Sequence, residues 1–207
     1  MAYSDFKMTD LAKQFGLKEK QKILFDKENL TPSPVSERLL AEWEFGRRMP
    51  LLSEKAKSEY LISPILKEVV LMYPSFLTLY SGYTFDVKKE MGLTGRCDYL
   101  FSTEHSIEIQ SSVFCLVEAK DKTVEEGIPQ AFAEMYAAQL FNSNNGQPTP
   151  TVYGCVTNAF DWLFLRLEGQ NAYIDTERYY FDKKDLPYLL AVFQKIVTQF
   201  IPIEHNT

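Results

Sequence analysis

The sequence contains very little histidine and cysteine, which limits the chemistry that it can perform. It has two histidines, His105 in a predicted turn and His205 near the carboxyl end, which is poor material for a Ser-His-acid triad. The three cysteines lie in or beside predicted strands, and their number and spacing match neither a disulfide framework nor a zinc site. We therefore expect Cys97, Cys115 and Cys155 to be reduced residues of a buried core.

Long apolar runs are also missing from the sequence. No stretch approaches the roughly 18 apolar residues that a membrane-spanning helix needs. The opening residues, "MAYSDFKMTDLAKQF", mix charged and apolar side chains, unlike a signal peptide. These features predict a cytoplasmic protein without a membrane partner.

The chain has no excess of positive charge and no familiar nucleotide-binding motif. Its 28 acidic and 22 basic residues give a net charge of -6, which argues against a protein that coats nucleic acid through bulk positive charge. A local basic groove or a metal-assisted site remains compatible with that charge. The stretch "GLTGR" lacks the spacing and the Gly-Lys-Ser/Thr ending of a P-loop, and no dinucleotide fingerprint is present.

What the sequence does contain is ample material for a core. Hydrophobic residues make up 45% of the 207 residues, including 15 Phe and 12 Tyr, which suits one domain with a helical extension. Residues 1–52 are predicted to be that extension, because "MTDLAKQFGL" and "SERLLAEWEFGRR" show helical spacing on either side of a Pro-rich linker, "LTPSPVS". Residues 53–207 are predicted to be the core.

The core pattern predicts a mixed α/β fold. A long helix is expected from about Ser53 to Tyr73, with Ser53 as its N-cap and a kink or break at Pro64. The predicted strands and helices that follow are strands "FLTLYSGYTFDV", "GRCDYLFS" and "SVFCLVEAK", helix "GIPQAFAEMYAAQLFN", strands "TVYGCVTN", "WLFLRLEG" and "NAYIDT", and helix "KKDLPYLLAVFQKIVTQF". This order predicts a central mixed sheet with helices on its faces.

The stretch "VFCLVEAKDK" shows an apolar strand that ends in two charges. Because side chains alternate along a strand, Phe114 and Leu116 share one face with Glu118 and Lys120. Upstream, Asp98 interrupts the apolar strand "GRCDYLF", and a buried carboxylate needs a partner, a metal or solvent. If the two strands pair, Asp98 and Glu118 can converge on one hard cation such as magnesium.

The spacing of Asp98 and "Glu118-Ala119-Lys120" resembles the PD-(D/E)xK nuclease superfamily. An acid, any residue and a lysine occur four times in this chain, but only the Glu118 copy follows an apolar strand and precedes a helix. The resemblance covers about residues 53–158 and implies a restriction-endonuclease-like core, although Cys97 replaces the usual proline. The stretches "SEYLISPILKE", "GRCDYLF", "VEAK" and "QAFAEMYAAQLFN" are similar to uncharacterised restriction-endonuclease-like proteins of bacterial genomes, which implies no particular substrate.

The resemblance also implies roles for individual residues. Asp98, Glu118 and the Ala119 carbonyl would hold Mg²⁺ or Mn²⁺, which polarises the phosphodiester and lowers the pKa of a bound water. Lys120 would orient that water or stabilise charge developing on the phosphate. The alternative for Glu118 and Lys120 is an ion pair at a strand end that contributes little to stability.

Two further positions complete the predicted site. The superfamily often adds a glutamate from the first core helix, and Glu59 is preferred over Glu68 because Glu59 begins the apolar stripe of that helix, whereas Glu68 is expected to be solvated. In the second helix, Gln130 could hydrogen-bond a catalytic carboxylate or a nucleic-acid phosphate, or it could be an exposed or capping residue. Basic residues near the predicted site could contact phosphates, or they could be solvated charges: Arg96, Lys120, Lys122, Lys88 and Lys89, joined by Arg47 and Arg48 if the amino-terminal helices flank the cleft.

These observations leave two functional hypotheses. The first is a magnesium-dependent nuclease, an endonuclease acting on nucleic acid and in the first instance on DNA. The second is a catalytically inactive nuclease-like module that binds nucleic acid or a protein partner, which the acidic net charge favours in its protein-binding form. A homodimer is compatible with the first hypothesis, because two cuts in a duplex need two sites.

Overall fold

The computed structural model describes residues 1–103, 105–109 and 112–201, so His205 lies outside the described residues. Beyond residue 52 the order is helix, three strands, helix, strands and helix, as the periodicity predicts. The helices are α1 (Met8–Phe15), α2 (Glu37–Gly46), α3 (Glu54–Lys57), α4 (Ser63–Met72), α5 (Ile128–Asn144) and α6 (Leu186–Val197). The strands are β1 (Lys18–Lys22), β2 (Thr78–Thr84), β3 (Arg96–Ser102), β4 (Val113–Ala119), β5 (Thr151–Thr157), β6 (Asp161–Glu168), β7 (Asn171–Asp175) and β8 (Tyr179–Tyr180).

Within the described residues, the eight strands form one mixed sheet. Its order is β1-β7-β6-β5-β4-β3-β2, and β8 pairs with β6 beside this path. Two neighbouring pairs, β4 with β5 and β1 with β7, are parallel, and the others are antiparallel. Helix α5 makes the crossover that a parallel β4-β5 pair requires. The predicted mixed sheet flanked by helices is therefore confirmed.

Two hydrophobic cores cover the two faces of the sheet. Alternate residues of β6 show the division, since Trp162 and Phe164 belong to one core while Leu163 and Leu165 belong to the other. The first core takes in residues of α2, α4 and α6, and the second takes in residues of α1 and α5. All three cysteines are free thiols in the buried interior, as predicted.

The amino-terminal residues pack against the rest of the chain. Phe15 stacks on Tyr136 of α5 with ring centroids 4.4 Å apart, and Trp43 belongs to the core that α4 and α6 share. The Tyr3 hydroxyl donates to the Phe85 carbonyl over 2.6 Å. The boundary predicted after residue 52 stays a prediction, although residues before it contribute to both cores.

The long helix predicted from Ser53 to Tyr73 forms, but with a different irregularity from the one expected. Ser53 caps it, because its hydroxyl accepts a hydrogen bond from the Ala56 N–H over 3.2 Å. Between α3 and α4 the chain makes a wider π turn at Ser58–Ile62. Pro64 follows immediately, in the first turn of α4, so the helix widens before the proline rather than breaking at it.

Strand β1 and the two-residue strand β8 are the strands that the sequence pattern did not predict. Strand β1 is the longer of the two. Its residues, "KEKQK", are all exposed and show no alternation. The strand joins the sheet edge by parallel pairing with β7, which depends on backbone groups rather than side chains. In the described part of the chain, no helix has the length and apolar character that crossing a membrane requires.

Candidate active site

Asp98 and Glu118 come together where β3 and β4 meet. The strands are antiparallel, with Tyr99 opposite Val117, so Asp98 and Glu118 are the next residues along. Asp98 Oδ2 accepts a hydrogen bond from the Ala119 N–H over 2.8 Å, which holds the aspartate against the end of β4. Glu118 is only 3% exposed, whereas Asp98 is half-buried and lines a cleft.

Lys120 is fixed at the point where β4 ends. Its Nζ lies 2.6 Å from Glu118 Oε1 and 2.9 Å from Gln130 Oε1. Its backbone N–H donates to the Thr157 carbonyl over 2.8 Å, which extends the pairing of β4 with β5. The side chain passes Gly127, where an added Cβ would lie 3.0 Å from Lys120 Cε. The glycine therefore leaves room for the lysine.

Gln130 joins Lys120 to a second buried carboxyl group. Its Nε2 donates to Glu134 Oε1 over 3.1 Å, one turn further along α5, and Glu134 has no exposed surface. Gln130 is thus neither exposed nor a cap. Its carbonyl oxygen accepts from Lys120, and its amide group donates to Glu134, a carboxyl group outside the predicted site. The sequence prediction did not include Glu134 in the site, although an acid in the apolar helix "IPQAFAEMYAAQLF" was a signal that could have identified it.

Burial dominates the electrostatics of these carboxyl groups. Burial raises the pKa of Glu134 to about 8, against an ordinary value of 4.5. Burial, followed by the charges of Glu134 and Asp98, holds the pKa of Glu118 well above its usual range. Burial lowers the pKa of Lys120, but the Glu118 carboxylate outweighs this effect and the net shift is upward. The Lys120 ammonium group is therefore the positive charge that lowers the pKa of all three carboxyl groups, Asp98, Glu118 and Glu134, against the effect of burial.

Two carboxyl oxygens at this site lack a hydrogen-bond partner among the described residues. Glu118 Oε2 and Glu134 Oε2 are buried and make no hydrogen bond with any part of the chain that the structure describes. Unpaired buried oxygens are costly, and a proton or a cation can stabilise them. The local chemistry therefore favours either protonation of the glutamates or the binding of an additional positive charge.

A cleft of about 580 Å³ opens beside Asp98. One wall is the helical segment that contains α3 and the π turn, and the other is formed by β2 and β3. The lining residues are Glu54, Lys55, Ser58, Glu59, Ser63, Ser81, Gly82, Arg96, Asp98 and Tyr99. The Tyr99 hydroxyl donates to the Ser58 carbonyl over 3.2 Å, and Lys57 Nζ lies 3.0 Å from Asp121 Oδ1. These contacts fix the helical wall over the strand ends.

Two glutamates of the first core helix, Glu54 and Glu59, line the cleft, whereas Glu68 does not. Glu59 is exposed and lines the cleft with Asp98. Glu54 also lines it, and burial together with the Asp98 charge raises the pKa of Glu54. The expectation that Glu68 is solvated was wrong, because it is 5% exposed and its Oε2 lies 2.6 Å from Arg38 Nη2.

Arg96 is a basic residue of the cleft wall that packs closely against β2. Arg96 lies directly against Gly82, where any Cβ would collide with its guanidinium. Gly82 also adopts a φ of 60°, which a residue with a side chain rarely adopts. The glycine therefore leaves space for Arg96 beside β2, where Arg96 lines the cleft.

The donor chemistry of this site suits a hard divalent cation. Asp98 and Glu118 provide carboxylate oxygens, and Glu54 and Glu59 lie on the facing wall. Across residues 1–103, 105–109 and 112–201, however, no three His, Cys, Asp or Glu side chains already surround one point as metal ligands. Comparison of the chain with protein-family models and with curated proteins gave no match to either. Functional inference therefore depends on this geometry.

Proposed function

We propose that this chain is a metal-dependent phosphodiester hydrolase that acts on nucleic acid, with DNA as the first substrate to test. The observation that carries the proposal is the position of Lys120. Its ammonium group is held between Glu118 and Gln130 at the end of a buried strand, beside Asp98 and an open cleft. A surface ion pair would not need a buried glutamate, a half-buried glutamine partner and a glycine that makes room for the lysine.

The arrangement of the elements also supports this proposal. A helical segment precedes three antiparallel strands, β2 to β4, and α5 then leads to β5, which is parallel to β4. The resemblance to the PD-(D/E)xK superfamily implies this order, with the aspartate on the second strand and the glutamate and lysine at the end of the third. A restriction-endonuclease-like core is therefore part of the proposal.

The residues of this chain divide the work as follows. Asp98, Glu118 and the Ala119 carbonyl would hold Mg²⁺ or Mn²⁺, with Glu54 or Glu59 as a further carboxylate. Such an ion, when bound, would polarise the phosphodiester and make a bound water more acidic. Lys120 keeps its proton at neutral pH, since its pKa is raised, and offers a positive charge next to the cleft. Arg96 would orient the phosphate by charge-assisted hydrogen bonds.

The second candidate function is a binding module without catalysis. It is favoured by the pairing of Lys120 with Glu118, which already neutralises the most buried carboxyl group of the strand end. The net charge of -6 points to a protein partner in this case. Such a module would need neither a divalent cation nor a free lysine.

The experiment that tests the proposal is a cleavage assay with Mg²⁺ or Mn²⁺. Single-stranded, duplex and branched DNA, with RNA as a further substrate, are incubated with wild type, Lys120→Ala and Asp98→Ala. Lys122→Ala is the matched control, because it removes a neighbouring exposed lysine. We expect wild type and Lys122→Ala to cleave, and the other two variants to lose at least about 100-fold in rate.

The same assay can contradict the proposal. Equal cleavage by wild type and Lys120→Ala would show that the lysine has no catalytic role and would point to a contaminating nuclease. Absence of cleavage from every substrate, with folded protein confirmed by its melting curve, would favour the binding module. Light scattering of the same samples would show whether a dimer brings two sites to one duplex.

A further inference from the structure

A positively charged pocket lies at the end of α2, outside the cleft. Its volume is about 360 Å³, and the lining residues are Trp43, Glu44, Arg47, Arg48 and Lys183. Three cations and one carboxylate surround it, in a chain in which acidic residues outnumber basic ones by 28 to 22. The charge of the pocket is therefore opposite to that of the whole molecule.

Trp43 organises the cations of this pocket. The Arg47 guanidinium carbon lies 4.4 Å from the centre of the Trp43 ring, and Lys183 Nζ lies 5.3 Å from it. The ring itself is 5% exposed and is held by the core, where it contacts Phe181. A fixed aromatic ring thus keeps two cations from different parts of the chain near each other.

The cations are only weakly neutralised. Lys183 Nζ lies 3.7 Å from Glu44 Oε1, and both side chains are largely exposed. Within the described residues, neither Arg47 nor Arg48 forms an ion pair, and the buried Trp43 Nε1 makes no hydrogen bond. Both arginines follow the carboxyl end of α2, whose partial negative charge offsets only part of their positive charge. The pocket therefore has N–H groups that could donate hydrogen bonds to an oxyanion.

The helix that carries the pocket packs against the π turn that lines the cleft. Gly46, the last residue of α2, packs against the Tyr60 carbonyl, and the Phe45 and Tyr60 rings are 6.2 Å apart. Tyr60 belongs to the π turn, of which Ser58 and Glu59 line the cleft. The π turn therefore lies between the cleft and the pocket and has residues in contact with each.

We infer that the Trp43 pocket binds a backbone phosphate of the nucleic-acid strand that occupies the cleft. This inference rests on the proposed function for its ligand, but it concerns binding and not cleavage. Guanidinium groups bind phosphate oxygens through paired hydrogen bonds, which suits Arg47 and Arg48. The pocket would position the strand and would not read its sequence.

The test uses the fluorescence of Trp43, one of two tryptophans in the chain. Trp162 is fully buried and donates to the Ala159 carbonyl, so its emission should not respond to a ligand. A DNA oligonucleotide, or inorganic phosphate as a separate ligand, is titrated without divalent cations into Lys120→Ala protein, which removes cleavage. Trp43→Phe shows which part of the signal belongs to Trp43.

The Arg47→Gln, Arg48→Gln double variant is compared with Arg166→Gln. Arg166 is a good control because it also stacks on an aromatic ring, Tyr173 at 4.7 Å, but lies on β6. We expect the double variant to bind the oligonucleotide at least about 10-fold more weakly, and to lower the slope of log affinity against log salt by about one per lost phosphate contact. Arg166→Gln should bind as wild type does.

Three results would overturn the inference. One is an oligonucleotide affinity that the double variant leaves unchanged, and another is an equal loss in Arg166→Gln. The third is a pocket that responds to inorganic phosphate but not to the oligonucleotide, since the pocket would then be a small-anion site. Binding that depends on Arg47 and Arg48 in a protein that cleaves nothing would support the inference and would count against the proposed catalysis alone.

Discussion

The ammonium group of Lys120 lies 2.6 Å from Oε1 of Glu118, a carboxyl group whose other oxygen is buried and makes no hydrogen bond to the residues that the structure describes. This relationship links the sheet to its crossover helix, because the same ammonium also contacts Gln130 on α5. A carboxyl group in that position is stable only while it is protonated or near a positive charge. The stability of the fold and the chemistry of the cleft therefore depend on the same few groups.

Glu134→Gln should make the protein less sensitive to alkaline pH. The folded-state pKa of Glu134 is about 8, against 4.5 for an ordinary glutamate, so the folded protein binds more protons than the unfolded chain between these values. Wild-type stability should therefore fall as pH rises from about 4.5 through about 8. The free energy of unfolding is measured by urea denaturation at several pH values. We expect Glu134→Gln to gain up to a few kcal/mol over wild type at high pH and little at low pH. A parallel pH dependence in both proteins would contradict this assignment.

Glu68→Gln should show the opposite pH dependence. Burial raises the pKa of Glu68, but hydrogen bonds from Ser36 and Arg38 outweigh it and hold the pKa below its ordinary value. The stability that Glu68 contributes is therefore present above about pH 4.5 and lost as pH falls through its folded-state pKa. We expect Glu68→Gln to lose about 1–2 kcal/mol of unfolding free energy at neutral pH, and less in acid.

Glu42 provides the matched control for Glu68, because it pairs with the same Arg38 but its side chain is 34% exposed, against 7% for Glu68. Glu42→Gln should change the unfolding free energy by less than about 0.5 kcal/mol. If both variants lose equally, the buried position of Glu68 contributes nothing beyond a surface pair.

Gly127→Ala should displace the Lys120 side chain without removing it. An alanine Cβ would lie 2.6 Å from Val156 Cγ1 and 3.0 Å from Lys120 Cε, so one of these side chains must move. Lys120 should then react faster with an amine-specific reagent, which mass spectrometry of the modified peptides can measure. We expect a several-fold increase for Lys120 and none for Lys122, which serves as an internal control. An unchanged Lys120 rate would mean that Val156 yields instead.

Glu54→Gln should weaken binding of Mg²⁺ more than Glu59→Gln does. Both side chains line the cleft, but the Asp98 charge contributes to the raised pKa of Glu54, which indicates that these two carboxyl groups interact. The increase in melting temperature with added Mg²⁺ measures binding to the folded state. We expect the apparent affinity to fall about 10-fold in Glu54→Gln and to change little in Glu59→Gln. The reverse order would restore Glu59 as the preferred residue.

The sequence predicted the elements around the site well, because their patterns are local. Predicted and observed bounds of β3, β4, α5 and β5 agree within about two residues, and apolar alternation placed Leu116, Glu118 and Lys120 on one side of β4. Phe114, expected on that same side, packs instead in the opposite core, close to the register shift between β3 and β4. Alternation describes a regular strand and fails where pairing is irregular.

Long-range contacts explain the other differences. Glu68 was expected to be solvated because it lies further round the helix than the apolar stripe, and its observed partner, Arg38, lies 30 residues earlier on another helix. Strand β1 was missed because its exposed side chains contribute no pattern, and its place is determined by the free edge of β7. Glu134 was not assigned to the site because its connection to Lys120 passes through Gln130. The first two of these relationships have no signature in neighbouring residues, whereas the four-residue spacing of Gln130 and Glu134 on one helix was a local signal for the third.

The π turn at Ser58–Ile62 acts as a one-residue insertion that rotates one part of a helix against the other. In a regular α-helix each residue advances the direction of its side chain by about 100°. Deleting one residue from the turn would therefore swing Glu54 round the helix axis by about that angle, while the core contacts of α4 stayed in place. The turn thus allows the acidic wall of the cleft and the apolar face of α4 to be oriented independently, and a change of length there would alter the site without a substitution in it.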